Sequence, residues 1–119
     1  MQKLAKREEQ IMQAFWELEK ALIKEIIPQL PDPKPHYNSV ATMVKILEDK
    51  GFLAHETTGN MHSYYPVISR EEYQKFALKD VVSQYFDNSY PRMLAFFAKE
   101  QNMTEKELNE IVQIIKTEK

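Results

Sequence analysis

The chain has 119 residues, 43% of them apolar and 29% charged, with two glycines and no cysteine. That is enough apolar content for a packed core in one domain or two small units, too little glycine for a turn-rich β-sandwich, and no thiol for a disulfide or a thiolate metal site. Sixteen basic side chains against eighteen acidic ones leave a net charge of −2, less basic than a nucleic-acid binder usually is.

Residues 1–68 hold 8 basic and 9 acidic side chains and residues 69–119 hold 8 and 9 again. Any field that attracts DNA must therefore come from local placement and from two copies acting together. The N-terminus has no apolar signal core, and no apolar run approaches the roughly 20 residues a membrane span needs. A soluble, cytoplasmic chain without membrane insertion is expected.

Leu4, Ile11, Phe15, Leu18 and Leu22 recur at helical spacing, widened by Met12 and Trp16, and predict a first helix over about 4–20. Ile23, Ile26, Ile27 and Leu30 give a short second helix, closed near Pro28 or Pro31. The run Pro31-Asp32-Pro33-Lys34-Pro35 is a stiff connector, because each proline restricts the residue before it. A third helix follows from about Tyr37 to Lys50, with His36 or Asn38 as its N-cap and Gly51 just past its end. Val40, Met43, Val44 and Leu47 lie on one side of it, and Asn38, Thr42, Lys45 and Asp49 on the other. Such a helix can pack on a small core while offering its polar side to a DNA groove.

Leu53–Thr57 and His62–Val67, separated by Thr58-Gly59-Asn60-Met61, read as strand, turn and strand. Three helices and a hairpin in about 68 residues is the winged helix-turn-helix order. Ser69-Arg70-Glu71-Glu72 has capping-box spacing and opens a fourth helix to about Phe86, with Tyr73, Phe76, Ala77, Val81 and Tyr85 on its apolar side. Asp87–Pro91 breaks it, and a fifth helix holds Met93, Leu94, Phe96 and Phe97. Thr104–Glu107 repeats the capping box before a sixth, with Leu108, Ile111, Val112 and Ile115 on one face.

The fold expected is mainly α with one small β-hairpin: a winged-helix DNA-binding domain over 1–68 and a helical region over 69–119. Three short helices enclose little core alone, yet these carry a surplus of large apolar side chains. A C-terminal dimerisation region is inferred, built from Tyr73, Phe76, Val81, Tyr85, Phe96, Phe97, Leu108, Ile111, Val112 and Ile115. Folding back on the N-terminal unit in a monomer is the alternative.

No phosphate-cradling glycine loop, nucleophile elbow or zinc-helix signature is present, so no enzymatic role and no cofactor is expected. His36, His55 and His62 lack the spacing of a metal-binding pair and read as surface or DNA-proximal residues.

Taken together, these residues resemble the penicillinase-repressor family of bacterial winged-helix transcriptional regulators. The resemblance covers nearly the whole chain. It is carried by Trp16, by Lys24-Glu25-Ile26, by Asn38-Ser39-Val40 with Thr42, Leu47, Lys50-Gly51 and Leu53, and by Tyr64-Tyr65-Pro66-Val67-Ile68-Ser69 with Glu72-Tyr73. It implies a homodimeric repressor on a palindromic double-stranded DNA operator, regulating genes of the β-lactam-resistance kind. Asn38, Ser39, Ala41, Thr42 and Lys45 would face DNA, with Lys34, Lys50, His55 and His62 as the remaining cationic or chargeable neighbours.

The chain departs from the family pattern at Ile46, where a basic residue is common, at Asp49, where lysine is common, and in the wing. Residues 56–62 have no Lys or Arg. In β-lactam-responsive members a membrane sensor protease leads to cleavage of an Asn-Phe bond in the dimer region. The matching position is Phe96-Phe97, which keeps the phenylalanine and lacks the asparagine. The competing reading is a winged-helix adaptor that binds protein rather than DNA, which a near-neutral charge would suit.

Overall fold

The computed structural model describes residues 1–117. Its first helix, α1 (Lys6–Leu18), starts where the Glu8 carboxylate accepts the Ala5 backbone N–H at 2.9 Å. It buries Ile11, Met12, Ala14 and Phe15. After α1 the chain turns through Glu19, at a positive φ of 69°. Ala21 then pairs with Tyr64 as an isolated bridge, N–H to O=C in both directions at 3.0 and 2.8 Å. That bridge adds a third backbone partner to the hairpin, which the periodicity of the sequence does not reveal.

Helix α2 is a single turn (Ile23–Ile26), extended by a 3-10 turn over Ile27–Gln29 that begins where Pro28 removes an N–H. Helix α3 (Tyr37–Asp49) follows the proline-rich connector and buries Val40, Val44 and Leu47. It ends in a Schellman motif. Phe52 N–H donates to the Leu47 carbonyl at 2.9 Å, and Gly51 N–H to the Glu48 carbonyl at 3.0 Å. Gly51 sits at φ 84°, where a side chain would be strained. Phe52 and Leu47 are both buried, which adds the apolar contact that this motif favours.

Strands β1 (Leu53–Thr58) and β2 (Met61–Pro66) pair antiparallel from Leu53↔Pro66 to Thr58↔Met61. The two-residue turn Gly59-Asn60 between them has Gly59 at φ 62°, the first-position conformation that suits a hairpin. Val67 N–H returns to the Phe52 carbonyl at 2.8 Å. Ala54, Glu56, Thr58, Met61, Ser63 and Tyr65 occupy one face, and Leu53, His55, Thr57, His62, Tyr64 and Pro66 the other.

The chain divides into two compact units, residues 1–77 and 78–119, nine residues beyond the 68/69 boundary expected from the hairpin's end. The first turns of α4 (Arg70–Tyr85) explain the shift. The Tyr73 hydroxyl accepts the Leu4 backbone N–H at 3.0 Å. The Tyr73 ring lies edge-on to Phe52, with centroids 5.9 Å apart, and 5.9 Å from Trp16. Trp16 Nε1–H donates to the Ile68 carbonyl at 2.9 Å. Burial raises the Tyr73 phenol above its usual range. Tyr73, expected on the dimer face, is therefore core of the first unit, and Phe76 packs against that core beside it.

The Ser69 capping box forms in both directions. The Ser69 hydroxyl accepts Glu72 N–H, and the Glu72 carboxylate accepts Ser69 N–H, each at 3.0 Å. These bonds hold the Glu72 carboxyl below its ordinary range.

Within residues 78–117, α4 ends at Asp87 and Asn88, both at positive φ. Helix α5 (Tyr90–Glu100) is capped by the Ser89 hydroxyl, with Pro91 in its first turn. Helix α6 (Glu105–Thr117) opens on the Thr104–Glu107 capping box, 3.1 Å in each direction. Val82 is the one buried side chain described in this unit. No helix among the described residues is long and apolar enough to cross a membrane.

Candidate nucleic-acid interface

The outward side of α3 is assembled by what its inward side must do. Val40, Val44 and Leu47 are committed to the core, so the residues between them face away. Asn38, Ser39, Thr42 and Lys45 are exposed, and Ala41 is half-buried at the margin of that stripe. The Thr42 hydroxyl donates to the Asn38 carbonyl at 3.0 Å. Its proton is thus used within the helix, leaving an acceptor oxygen and a methyl for a base edge. Lys45 is exposed but not free of its own chain: Glu48 and Asp49 carboxylates lie 3.7 and 3.8 Å from its ammonium. The Asp49 pair is exposed on both sides and therefore weak, whereas Glu48 is mostly covered and also holds His55.

Two lysines assigned to DNA from the sequence are used elsewhere. Lys34 donates to the Leu30 carbonyl and, at 3.2 Å, to the Pro28 carbonyl, with Asp32 at 3.6 Å. It thereby satisfies backbone at the end of the 3-10 turn. Lys50 reaches Glu8 of α1 at 2.8 Å. Burial pushes the Glu8 carboxyl up, but the Lys50 hydrogen bond, the Ala5 N–H and the Lys50 charge together hold it below its ordinary range. Lys50 therefore ties α3 to α1. Sequence spacing could not show this, because the two residues are 42 apart in the chain.

The hairpin stands beside α3 as a wing. His55 of β1 bonds through Nδ1 to the Glu48 carboxylate of α3. His62 Nδ1 lies 2.9 Å from the Thr57 hydroxyl. Tyr64 packs towards Phe15 with centroids 6.3 Å apart, and burial raises its phenol above the usual range. On the opposite face Lys20 pairs with Glu56 at 2.7 Å and sits over the Tyr65 ring.

Between wing and helix lies a cleft of about 360 Å³ lined by Lys24, Tyr37, Ala41, Met61, His62 and Tyr64, among others. Tyr37, at the start of α3, is 52% exposed, and Met61, at the wing tip, is 48% exposed. Neither is singled out by the sequence. Their signal is an exposed aromatic or thioether where the core has no use for one. Among the described residues no group of three or more His, Cys, Asp or Glu side chains is placed to hold a metal.

The residues assigned to dimerisation divide. Phe96 (56% exposed), Phe97, Leu108, Val112 and Ile115 lie open on α5 and α6, as do Val81 and Tyr85 on α4. Ile111 is half-buried. Tyr73 and Phe76 belong to the first unit's packing.

Two comparisons with known proteins bear on this arrangement. The family model described as Penicillinase repressor matches residues 4–117. The chain is also 24% identical over 115 residues to a penicillinase repressor of Bacillus licheniformis, covering 92% of this chain and 87% of that protein.

Proposed function

The chain belongs to the penicillinase repressor family, and on that premise we propose that it is a DNA-binding transcriptional repressor that works as a homodimer on a palindromic operator. The observation that carries this reading is the outward stripe Asn38, Ser39, Thr42 and Lys45 on α3, set beside a hairpin of wing geometry. Asn38 and Thr42 suit base edges, Lys45 suits a phosphate or guanine, and a helix of this size fits the major groove. Two copies are needed because one unit carries few free cations. The open apolar side chains of α5 and α6 offer a surface on which a second copy would bury itself.

A regulatory cleavage at Phe96–Phe97, driven by a membrane sensor protease, belongs to the same proposal. Both side chains are exposed, but the bond lies inside α5. A protease would need that turn unwound first. A time course with the cognate sensor in which the chain stays intact under induction removes this step.

The test of DNA reading is a gel-shift titration against salt. A DNA reader loses affinity steeply as salt rises, by a slope set by the phosphates it neutralises. Absence of binding at low salt would favour an adaptor that docks protein, a role its near-neutral charge also suits.

A further inference from the structure

The wing presents two imidazoles and no Lys or Arg between Glu56 and His62. His55 and His62 share the hairpin face that meets α3, with ring centroids 4.7 Å apart in an edge-to-face arrangement. Each uses Nδ1 inside the protein, His55 on the Glu48 carboxylate and His62 on the Thr57 hydroxyl. Nε2 is therefore the nitrogen each has left for a partner.

The charged and titratable groups around the pair are few. From α3 come Glu48, Lys45 and Tyr37, with Asp49 held beside Lys45. Lys24 of α2 lines the same cleft as His62, and Tyr64 of β2 lies against both rings. Glu56 is drawn to the other face by Lys20.

We propose that His55 and His62 form the wing's contact with a DNA phosphate and make it as imidazolium ions, so that operator binding takes up protons and tightens as pH falls. The inference rests on the DNA-binding reading above. A ring that meets Glu48 through Nδ1 and a phosphate through Nε2 faces an anion on both sides. Only the doubly protonated form donates to both. Glu48 already sits against His55 and offsets a charge there, whereas His62 meets only the neutral Thr57 hydroxyl. A second positive ring 4.7 Å away is therefore opposed until the phosphate arrives, and the proton gained on binding is that of His62. Histidine is the side chain whose ordinary titration falls between pH 5 and 8. A wing without a fixed cation thus becomes cationic on demand.

The experiment is fluorescence anisotropy of the full chain on its selected operator at pH 6, 7 and 8 and constant ionic strength. Each proton taken up changes the binding constant by up to about tenfold per pH unit through linkage. Binding should be at least about tenfold tighter at pH 6 than at pH 8 on that basis. His55→Gln and His62→Gln should each flatten the dependence, and the double variant should remove it and stay at the weak end. His62→Lys should restore tight binding at pH 8 with a reduced slope, while His36→Gln should keep the full slope. Tight binding that does not vary with pH, or a double variant with the wild-type slope, overturns this inference and leaves the DNA-binding reading standing. A full chain that enriches no duplex from a random pool at any of these pH values overturns both.

Discussion

Phe15 and Phe97 are the same side chain put to opposite uses. Phe15 is fully buried, one of fifteen apolar side chains closed into the core of residues 1–77. Phe97 is 55% exposed, in a unit where Leu94, Phe96, Leu108, Val112 and Ile115 are also open. The first unit is complete as a folding problem. Glu8 closes the start of α1 and Gly51 the end of α3, the hairpin is bridged to Ala21, and Tyr73 and Trp16 seal it. The second has well-capped helices but little interior, and a unit of about 40 residues rarely stands alone without a partner, a metal or a disulfide. In the proposed reading, one unit carries the DNA-reading face and the other the surface that brings two copies together.

The largest expected effect comes from attacking that division of labour. Leu108→Glu combined with Ile115→Glu places two charges on the open face of α6. Sedimentation should then report a single-chain mass, and operator affinity should fall by about 100-fold or more, the usual loss when bivalent engagement ends. An unchanged dimer would move the interface elsewhere.

Next in size is the position of the boundary. A fragment of residues 1–77 should unfold cooperatively as a monomer. Residues 1–68, which lack Tyr73 and Phe76, should be less stable by about 3 kcal/mol, the scale of losing one large buried aromatic. Equal denaturation midpoints would show that α4 adds nothing to the first unit.

Smaller effects separate roles on α3. Lys45→Ala should weaken binding several-fold on all sequences and lower the salt slope by about 1, as loss of one phosphate contact does. Thr42→Ala should instead leave the slope and change which base pairs are preferred. If both variants bind the wild-type operator unchanged, α3 is not the reading helix.

The smallest effect concerns Glu8 and Lys50. The Glu8 carboxyl is held below its ordinary value in the folded chain. Its contribution is therefore present above the free glutamate range, near about pH 4.3, and is lost as pH falls through the folded value. Glu8→Gln, which keeps an acceptor for the Ala5 N–H, should cost about 1 kcal/mol at pH 7, the net scale of one hydrogen bond. The gap to wild type, followed by denaturant titration, should close below about pH 4. A gap that is constant with pH would assign the loss to packing alone.

Much of this division was legible in the residues. The capping boxes at Ser69 and Thr104, the stop at Gly51 and the two faces of α3 depend on neighbours three or four residues away, and all form as local chemistry requires. Lys34, Lys50 and Tyr73 are different. Each could serve a surface or an interior, and the choice is made by Leu30, Glu8 and Leu4 through contacts that spacing does not encode. The Ala21–Tyr64 bridge was equally silent, since one residue of extended backbone has no period. In the candidate interface, the α3 stripe was readable, whereas the pairing of His55 with Glu48 required the wing to be folded beside the helix.

Selection of bound sites from random duplex DNA by the full chain tests the central claim most directly. A dimer presenting two α3 helices predicts an enriched palindrome whose half-sites lie about one helical turn apart, or a multiple of it, roughly 10 base pairs centre to centre. Enrichment of a lone half-site, or of no sequence at all, would contradict it.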